Sequence, residues 1–247
     1  MGEQPLQGQV ALVTGGGKRI GRAIALTLGR AGADVVVNYR QSREGAQATT
    51  CEIAALGVRA MALRADVSRP RQVAAMFRTI QGRFGRLDLL VNNAGVFFPK
   101  KWEELEEKDF DRVLRANLKG PFFCAQAAAR MMMAQGGGNI INISSLGGLQ
   151  AWPSYMHYCA SKAALISLTR SLAKALAPTI RVNSVAPGTI LFSHEERNAG
   201  IRKIVRTTPL RKAGTGEDIA RMVLFLATQN DFITGQVFAV DGGKSIA

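Results

Sequence analysis

The sequence predicts an α/β fold: a single domain built on a doubly wound parallel sheet with helices on both faces. Three observations carry that expectation. Short runs rich in β-branched residues alternate with longer amphipathic stretches along the whole chain. Several of those runs are apolar almost throughout, as in Val35-Val36-Val37 and Ile140-Ile141-Asn142-Ile143. A strand of that kind is buried on both faces, which is the situation of a parallel βαβ sheet. A glycine-rich turn follows the first run directly, where doubly wound sheets accept ligands.

Taken in order, the strands are expected at Val10 to Thr14, Asp34 to Asn38, Leu87 to Asn92, Asn139 to Ser144, Arg181 to Pro187 and Gln236 to Val240. After the first, the turn Thr14-Gly15-Gly16-Gly17-Lys18-Arg19-Ile20-Gly21 opens a helix whose apolar residues are Ile20, Ala23, Ile24, Leu26 and Leu28. Gly136-Gly137-Gly138 sits where a helix ends before a strand. No linker or low-complexity segment divides the chain. Its 247 residues, 47% of them hydrophobic, suffice for one core, so residues 1–247 are expected to form one domain. The segment from about 189 to 214 is the least regular and most charged, and is expected to cover the substrate.

Composition narrows the function. The N-terminus is too polar for a signal peptide and no apolar run approaches the roughly 18 residues that span a bilayer, so a soluble, cytoplasmic protein without membrane contact is expected. Three cysteines, Cys51, Cys124 and Cys159, lie far apart, and with two histidines there is little material for a zinc site. Reduced thiols and no metal are expected. The net charge of +14 is spread over the length without a helix-turn-helix, zinc-finger or RNP-type signature, which argues against nucleic acid. The one dense cluster, Arg197, Arg202, Lys203, Arg206, Arg211 and Lys212, reads first as a solvated face and second as recognition of an anionic substrate or carrier.

The chemistry is carried by three groups of residues. Glycines in the turn let backbone N–H groups approach a pyrophosphate at a helix N-terminus. Where dinucleotide-binding chains that prefer NAD place a carboxylate, the second strand here ends Val37-Asn38-Tyr39-Arg40. Arg40, with Lys18 and Arg19, suits a 2′-phosphate, so NADP is expected over NAD. Tyr158 and Lys162, at i and i+4, share a face if the stretch is helical. A nearby cation favours a phenolate, and the pair thereby suits proton transfer. Ser144-Ser145 ends the apolar Ile140 to Ile143 strand at the carboxyl edge of the sheet, thirteen residues before Tyr158.

With these residues in view, the chain resembles the short-chain dehydrogenase/reductase family along nearly its full length. The landmarks are the Thr14 to Gly21 turn, Asp66-Val67, Asn92-Asn93-Ala94-Gly95, Asn117, Ser145, Tyr158-x-x-x-Lys162, Pro187-Gly188, Ile233-Thr234-Gly235 and Asp241-Gly242-Gly243. The resemblance implies a Rossmann fold, with Tyr158 as proton donor and acceptor while hydride passes to or from a substrate carbon. Lys162 would bind the nicotinamide ribose and lower the phenol pKa, Ser145 would hydrogen-bond the substrate oxygen, and Asn117 would hold a relay water. The implied cofactor contacts are Gly15, Gly17, Lys18, Arg19, Ile20, Gly21, Arg40, Asp66, Val67, Asn93, Ala94, Gly95, Tyr158, Lys162, Pro187, Gly188 and Ile190. A homotetramer or dimer built partly from the helix carrying Tyr158 is also implied.

Ser144 is then a structural hydroxyl, and Tyr155, with Cys159 rather than a lysine four residues on, is at most a pocket wall. His157 is expected to be structural or solvated, and Trp152, Met156, Phe97 and Phe98 to be core or pocket lining. Arg19 replaces the usual glycine of the turn, a pattern similar to pteridine and dihydromonapterin reductases. Phe192 stands where most relatives carry a threonine that contacts the nicotinamide amide, a part Thr189 or Ser193 would take over. The stretch Asn139 to Leu168 is more similar to β-ketoacyl carrier-protein reductases. The leading expectation is an NADPH-dependent reductase of a 3-oxoacyl thioester or general ketone, small or carrier-bound, with a pteridine reductase as the alternative. A cofactor-sensing or nucleic-acid-binding protein that has lost catalysis is the non-enzymatic alternative; intact Asn117, Ser145, Tyr158 and Lys162 speak against it.

Overall fold

The computed structural model describes residues 4–192, 199–229 and 231–247, with backbone only for 199–201. Among the described residues, seven strands form one sheet: β1 (Val10–Val13), β2 (Asp34–Tyr39), β3 (Ala60–Arg64), β4 (Leu89–Asn92), β5 (Gly138–Ile143), β6 (Ile180–Pro187) and β7 (Val237–Val240). Their order is β3-β2-β1-β4-β5-β6-β7, and every neighbouring pair is parallel. The six strands expected from apolar runs are present, with ends moved by a residue or two. The pattern did not single out β3. Its Ala-Met-Ala-Leu-Arg is only half-buried at the sheet edge and contains no β-branched residue.

Helices cover both faces because the strands alternate between two cores. Val10, Leu12, Val36, Leu90, Ile140 and Val182 pack against α3 (Pro70–Phe84), α5 (Gly120–Ala134) and α6 (Met156–Leu176). Ala11, Val13, Val35, Val37, Val91, Ile141 and Ile143 pack against α1 (Arg19–Arg30), α2 (Arg43–Ala54) and α8 (Gly216–Thr228). Each fully buried aliphatic side chain contributes about 1.5–3 kcal/mol. The alternation thus secures both layers at once and fixes the register of the sheet.

Two connections shape the site. α4 (Glu107–Leu114) runs into α5 through a π-helical turn, Arg115–Lys119, so the two are one interrupted helix. After β6 the chain is pinned at Ile190, which bridges Gly214. The N–H of Gly214 donates to the Thr189 carbonyl at 2.9 Å and that of Leu191 to the Gly214 carbonyl at 3.1 Å. The segment expected to be irregular contains a helix, α7 (Ala199–Thr207). Ser193 and Arg197, assigned possible roles above, lie outside the described residues. Among the described residues no helix is long and apolar enough to cross a membrane.

Candidate active site

From β1 the chain moves outward to β2 and β3, then returns to place β4 on the other side of β1. The helices after β1 and β4 diverge there, and a crevice opens at the carboxyl ends of the strands. A groove of about 430 Å³ occupies it, lined by the glycine turn, the ends of β2, β4, β5 and β6, the residues after β3, and the first two turns of α6.

The turn is shaped by close approach. Gly15 has φ +64, and a Cβ there would sit 3.1 Å from Ala94 Cα. At Gly21 a Cβ would run into the Gly15 carbonyl. The amide of Asn93 locks the turn from across the groove, donating to the carbonyls of Thr14 at 2.9 Å and Gly15 at 3.2 Å. Thr14 Oγ1 in turn accepts from the backbone N–H groups of Asn93 and Ala94. Asn93 lines the groove but spends its side chain on this brace. Asn38 ties the first two strands to β3, donating to the Ala65 carbonyl at 3.0 Å. Thr14 begins the turn expected from the sequence, whereas Asn38 carries no signal as a site builder, since an asparagine near the end of a strand shows none until its partners are known.

Every sequence-expected cofactor residue described lies along this groove, including Gly17, Lys18, Arg19, Ile20, Arg40, Asp66, Val67, Gly95, Pro187, Gly188 and Ile190. Arg40 and Asp66 face each other at 3.8 Å, and Asp66 also accepts from the backbone and hydroxyl of Ser68. Gln41, Ser42, Tyr39 and Ala65 line the same end and were not singled out. The short polar run Arg40-Gln41-Ser42 between β2 and α2 was the available signal.

The structure brings Ser145, Tyr158 and Lys162 to one wall. Ser145 is buried just beyond β5, where its Oγ accepts from the Gly147 N–H at 3.1 Å. Ser144 hydrogen-bonds Ser184 Oγ at 2.7 Å and the Val185 carbonyl at 3.1 Å, so it is structural. Tyr158 and Lys162 sit on successive turns of α6, with the ammonium 5.8 Å from the phenol ring centroid. Lys162 Nζ donates to the Ile143 carbonyl at 2.7 Å, and burial lowers its pKa to about 8. Burial pushes the Tyr158 phenol up to about 12, with a hydrogen bond from Ser145 opposing. The phenol is therefore held above its ordinary value, where the reading above had Lys162 lowering it: desolvation outweighs the hydrogen bond, and the ammonium is directed at the end of β5.

Asn117 sits in the π-helical turn, fully buried. Its amide donates to the Val96 carbonyl at 3.0 Å and to Ser161 Oγ at 3.1 Å, and its Oδ1 accepts from the Val96 N–H at 2.7 Å. The side chain thus braces the backbone after Gly95 against α6. A π turn at this point is a feature that apolar periodicity does not reveal.

Aromatic rings crowd the phenol. Phe97 meets Tyr158 edge-on at 4.7 Å and stacks on Tyr155 at 4.6 Å, while Trp152 lies nearly parallel to Tyr158 at 6.4 Å. Phe97 and Trp152 line the groove, and Tyr155 backs Phe97. Met156, expected in core or pocket, is exposed and lines neither. His157 is fully buried against Phe98, with ring centroids 4.7 Å apart, and is structural.

The residues present fit a dinucleotide. The glycine turn opens α1 at one wall of the groove, with Lys18, Arg19 and Arg40 beside it, and at Gly95 a Cβ would project to 3.8 Å from Lys162 Nζ. A doubly wound sheet whose switch-point groove carries this Ser, Tyr and Lys set defines an α/β oxidoreductase of the dinucleotide-binding class. A family model described as enoyl-(acyl carrier protein) reductase matches residues 16–245. The 3-oxoacyl-[acyl-carrier-protein] reductase of Synechocystis sp. is 41% identical over 241 residues, 96% of this chain and 97% of its own. A putative short-chain alcohol dehydrogenase from Sinorhizobium meliloti superposes with a TM-score of 0.93 at 37% identity, covering 100% of both chains. A short-chain dehydrogenase from Burkholderia cenocepacia in complex with NADP does so at 0.92 and 38%, covering 97% of this chain and 99% of its own. The chain belongs to the short-chain dehydrogenase/reductase family, an oxidoreductase acting on CH–OH and C=O groups.

Proposed function

We propose that the protein is an NADPH-dependent reductase of a carbonyl substrate, a 3-oxoacyl thioester or a related ketone. The observation that carries this reading is the convergence of Ser145, Tyr158 and Lys162 on one groove that also holds Lys18, Arg19 and Arg40. When bound, the nicotinamide supplies the hydride. Ser145 Oγ orients the substrate oxygen by a hydrogen bond, and Tyr158 delivers its proton to that oxygen. A phenol near 12 is fully protonated at neutral pH, which suits it to act as the acid in reduction. Lys162 holds the nicotinamide ribose and keeps a positive charge beside the phenol, while Asn117 supports the turn after Gly95 and the water through which Tyr158 regains a proton. Arg40, Lys18 and Arg19 meet the 2′-phosphate. The identity with a 3-oxoacyl-carrier reductase over nearly the whole chain supports the thioester substrate.

A second reading, reduction of a pterin, is favoured by the aromatic rings Phe97 and Trp152 beside Tyr158, which suit a flat heterocycle. Steady-state turnover of acetoacetyl thioesters, dihydrobiopterin and simple diketones with NADPH separates the two. Thioester turnover exceeding that of dihydrobiopterin supports the first, and the reverse order establishes the second. For the cofactor, charge-assisted hydrogen bonds of about 1.5–3 kcal/mol each, discounted for solvent, predict at least a tenfold preference for NADPH over NADH. Arg40→Asp is expected to weaken NADPH more than NADH in equilibrium titrations; a parallel loss of both would remove Arg40 from the phosphate site.

A further inference from the structure

We propose that His157 is a positioning residue for the proton donor: its buried ring, locked against Phe98, sets the neighbouring Phe97 against the ring of Tyr158. The inference rests on Tyr158 being the proton donor and adds a residue that the mechanism does not use.

Two neighbours on one segment meet two neighbours on another. Between β4 and α4 the chain presents Phe97 and Phe98, and the first turn of α6 presents His157 and Tyr158. Phe97 meets Tyr158 with ring centroids 4.7 Å apart, and Phe98 meets His157 at the same separation. Successive residues of a helix point about 100° apart. The two contacts therefore grip α6 on different sides, one in the groove and one in the interior.

Both ends of the segment 96–100 are tied by hydrogen bonds. Val96 gives its N–H and its carbonyl to the Asn117 side chain, and the Lys100 N–H donates to the Ser154 carbonyl at 2.8 Å, just before α6. Lys100 Nζ pairs with Asp109 on α4. Between these ties the segment is held by its rings. Phe98 carries the Arg112 guanidinium 5.2 Å from its centroid, and Phe110 backs His157 at 6.2 Å.

The His157 ring is fully buried, and neither of its nitrogens has a hydrogen-bond partner among the described residues. It holds its neighbours by shape, so a ring of similar size should replace it. Phe97, by contrast, is 57% exposed. A ring exposed to that extent takes its place from the backbone beneath it, and that backbone is set where Phe98 rests on His157. Edge-on aromatic pairs contribute beyond the area they bury. Without the Phe97 contact the phenol can turn away from the substrate oxygen, and small misplacements at a reacting centre are costly. His157 touches no substrate and acts through Phe97.

The test uses whichever of an acetoacetyl thioester, a simple diketone and dihydrobiopterin the native protein reduces fastest with saturating NADPH. Turnover is measured for His157→Ala, His157→Leu, His157→Phe, Phe97→Ala and the Phe97→Ala/His157→Ala double variant. NADPH titrations by nicotinamide fluorescence and melting temperatures accompany each, and the leucine variant keeps most of the buried volume should the alanine variant fail to fold. Loss of one aromatic contact predicts kcat lower by about twofold to tenfold in the alanine and leucine variants, with NADPH affinity changed by less than about twofold. The phenylalanine variant should turn over as the native protein does, and the double variant no more slowly than Phe97→Ala. Undiminished kcat in both the alanine and leucine variants, a phenylalanine variant as slow as alanine, an equal loss of NADPH affinity, or additive losses in the double variant would each overturn the role of His157. A native protein that reduces none of the three substrates, or a Tyr158→Phe variant that keeps most activity, refutes the reading of Tyr158 itself, whereas additive losses beside an inactive Tyr158→Phe refute only this inference.

Discussion

Tyr158 and Lys162 sit one helical turn apart and are moved in opposite directions by the same cause. Burial disfavours the charged form of each, so the phenol rises to about 12 and the ammonium falls to about 8. Reduction by the proposed mechanism needs the phenol protonated and the ammonium charged. As pH rises, Lys162 is the first to lose its active form, and Tyr158 follows only some four units later. The expected profile of kcat/KM for reduction, which reports the free enzyme, is flat below about pH 7 and falls with a midpoint near 8. A profile that stays level to about pH 10 would show that Lys162 keeps its proton in solution. Tyr158→Phe removes the proton donor while keeping the ring contacts to Phe97 and Trp152. Turnover should fall by roughly 10²-fold or more, with NADPH affinity nearly unchanged. Lys162→Ala should damage both, and retention of most activity by Tyr158→Phe would sink the mechanism.

At the scale of elements, α6 presents three successive side chains in three environments: Tyr158 in the groove, His157 in the interior and Met156 in solvent. His157 wedges between Phe98, after β4, and Phe110 on α4. Burial holds its pKa below the ordinary value, with Lys100 adding to the effect and Asp109 and the Phe98 carbonyl opposing it. A histidine kept neutral in the fold, but free to charge at about 6.5 when unfolded, contributes stability that is complete above that pH and lost progressively below it. His157→Phe should therefore lose less melting temperature than the native protein between about pH 7.5 and about pH 5.5. Equal losses would mean that other groups dominate acid sensitivity. His157 also illustrates what was legible in the chain. Its neighbours Tyr158 and Lys162 declare themselves by spacing, and six strands do so by unbroken apolar runs. Whether a histidine one residue away faces a core or water depends on partners from distant elements. The same holds for β3, an edge strand without β-branched residues, and for Asn93 and Asn117, which line or adjoin the groove yet use their amides to brace it.

For the molecule as a whole, a net charge of +14 on 247 residues is a field that reaches beyond any single contact. Among the described residues of the basic cluster, Arg202, Lys203, Arg206, Arg211 and Lys212 are all exposed, close in sequence to the groove's Ile190 and Phe192. Exposed charges steer an anionic partner on approach, and separations beyond about 8–10 Å are screened at physiological salt. If the substrate rides on an acidic carrier protein, kcat/KM should fall as salt rises, and the slope should flatten when Arg202, Lys203 and Arg206 are replaced together by alanine. A compact neutral pterin should show little salt response in either protein. A flat response with the carrier thioester, together with efficient dihydrobiopterin reduction, would remove the carrier reading.

The turn at Arg115–Lys119 can also be described by counting. A π turn is an α-helix with one residue too many, a form that occurs mostly as a single turn inside an α-helix and often at functional sites. Deleting Leu118 would let α4 and α5 merge into one continuous helix, the longest among the described residues. The same deletion would close the widened turn, so that Asn117 would take a regular helical position in place of its present offset one. Asn117 could not then reach both Val96 and Ser161 from a helix whose two halves still met their own partners. The shorter chain would have the more regular helix and would lose the brace by which Asn117 ties the backbone at Val96 to Ser161 on α6.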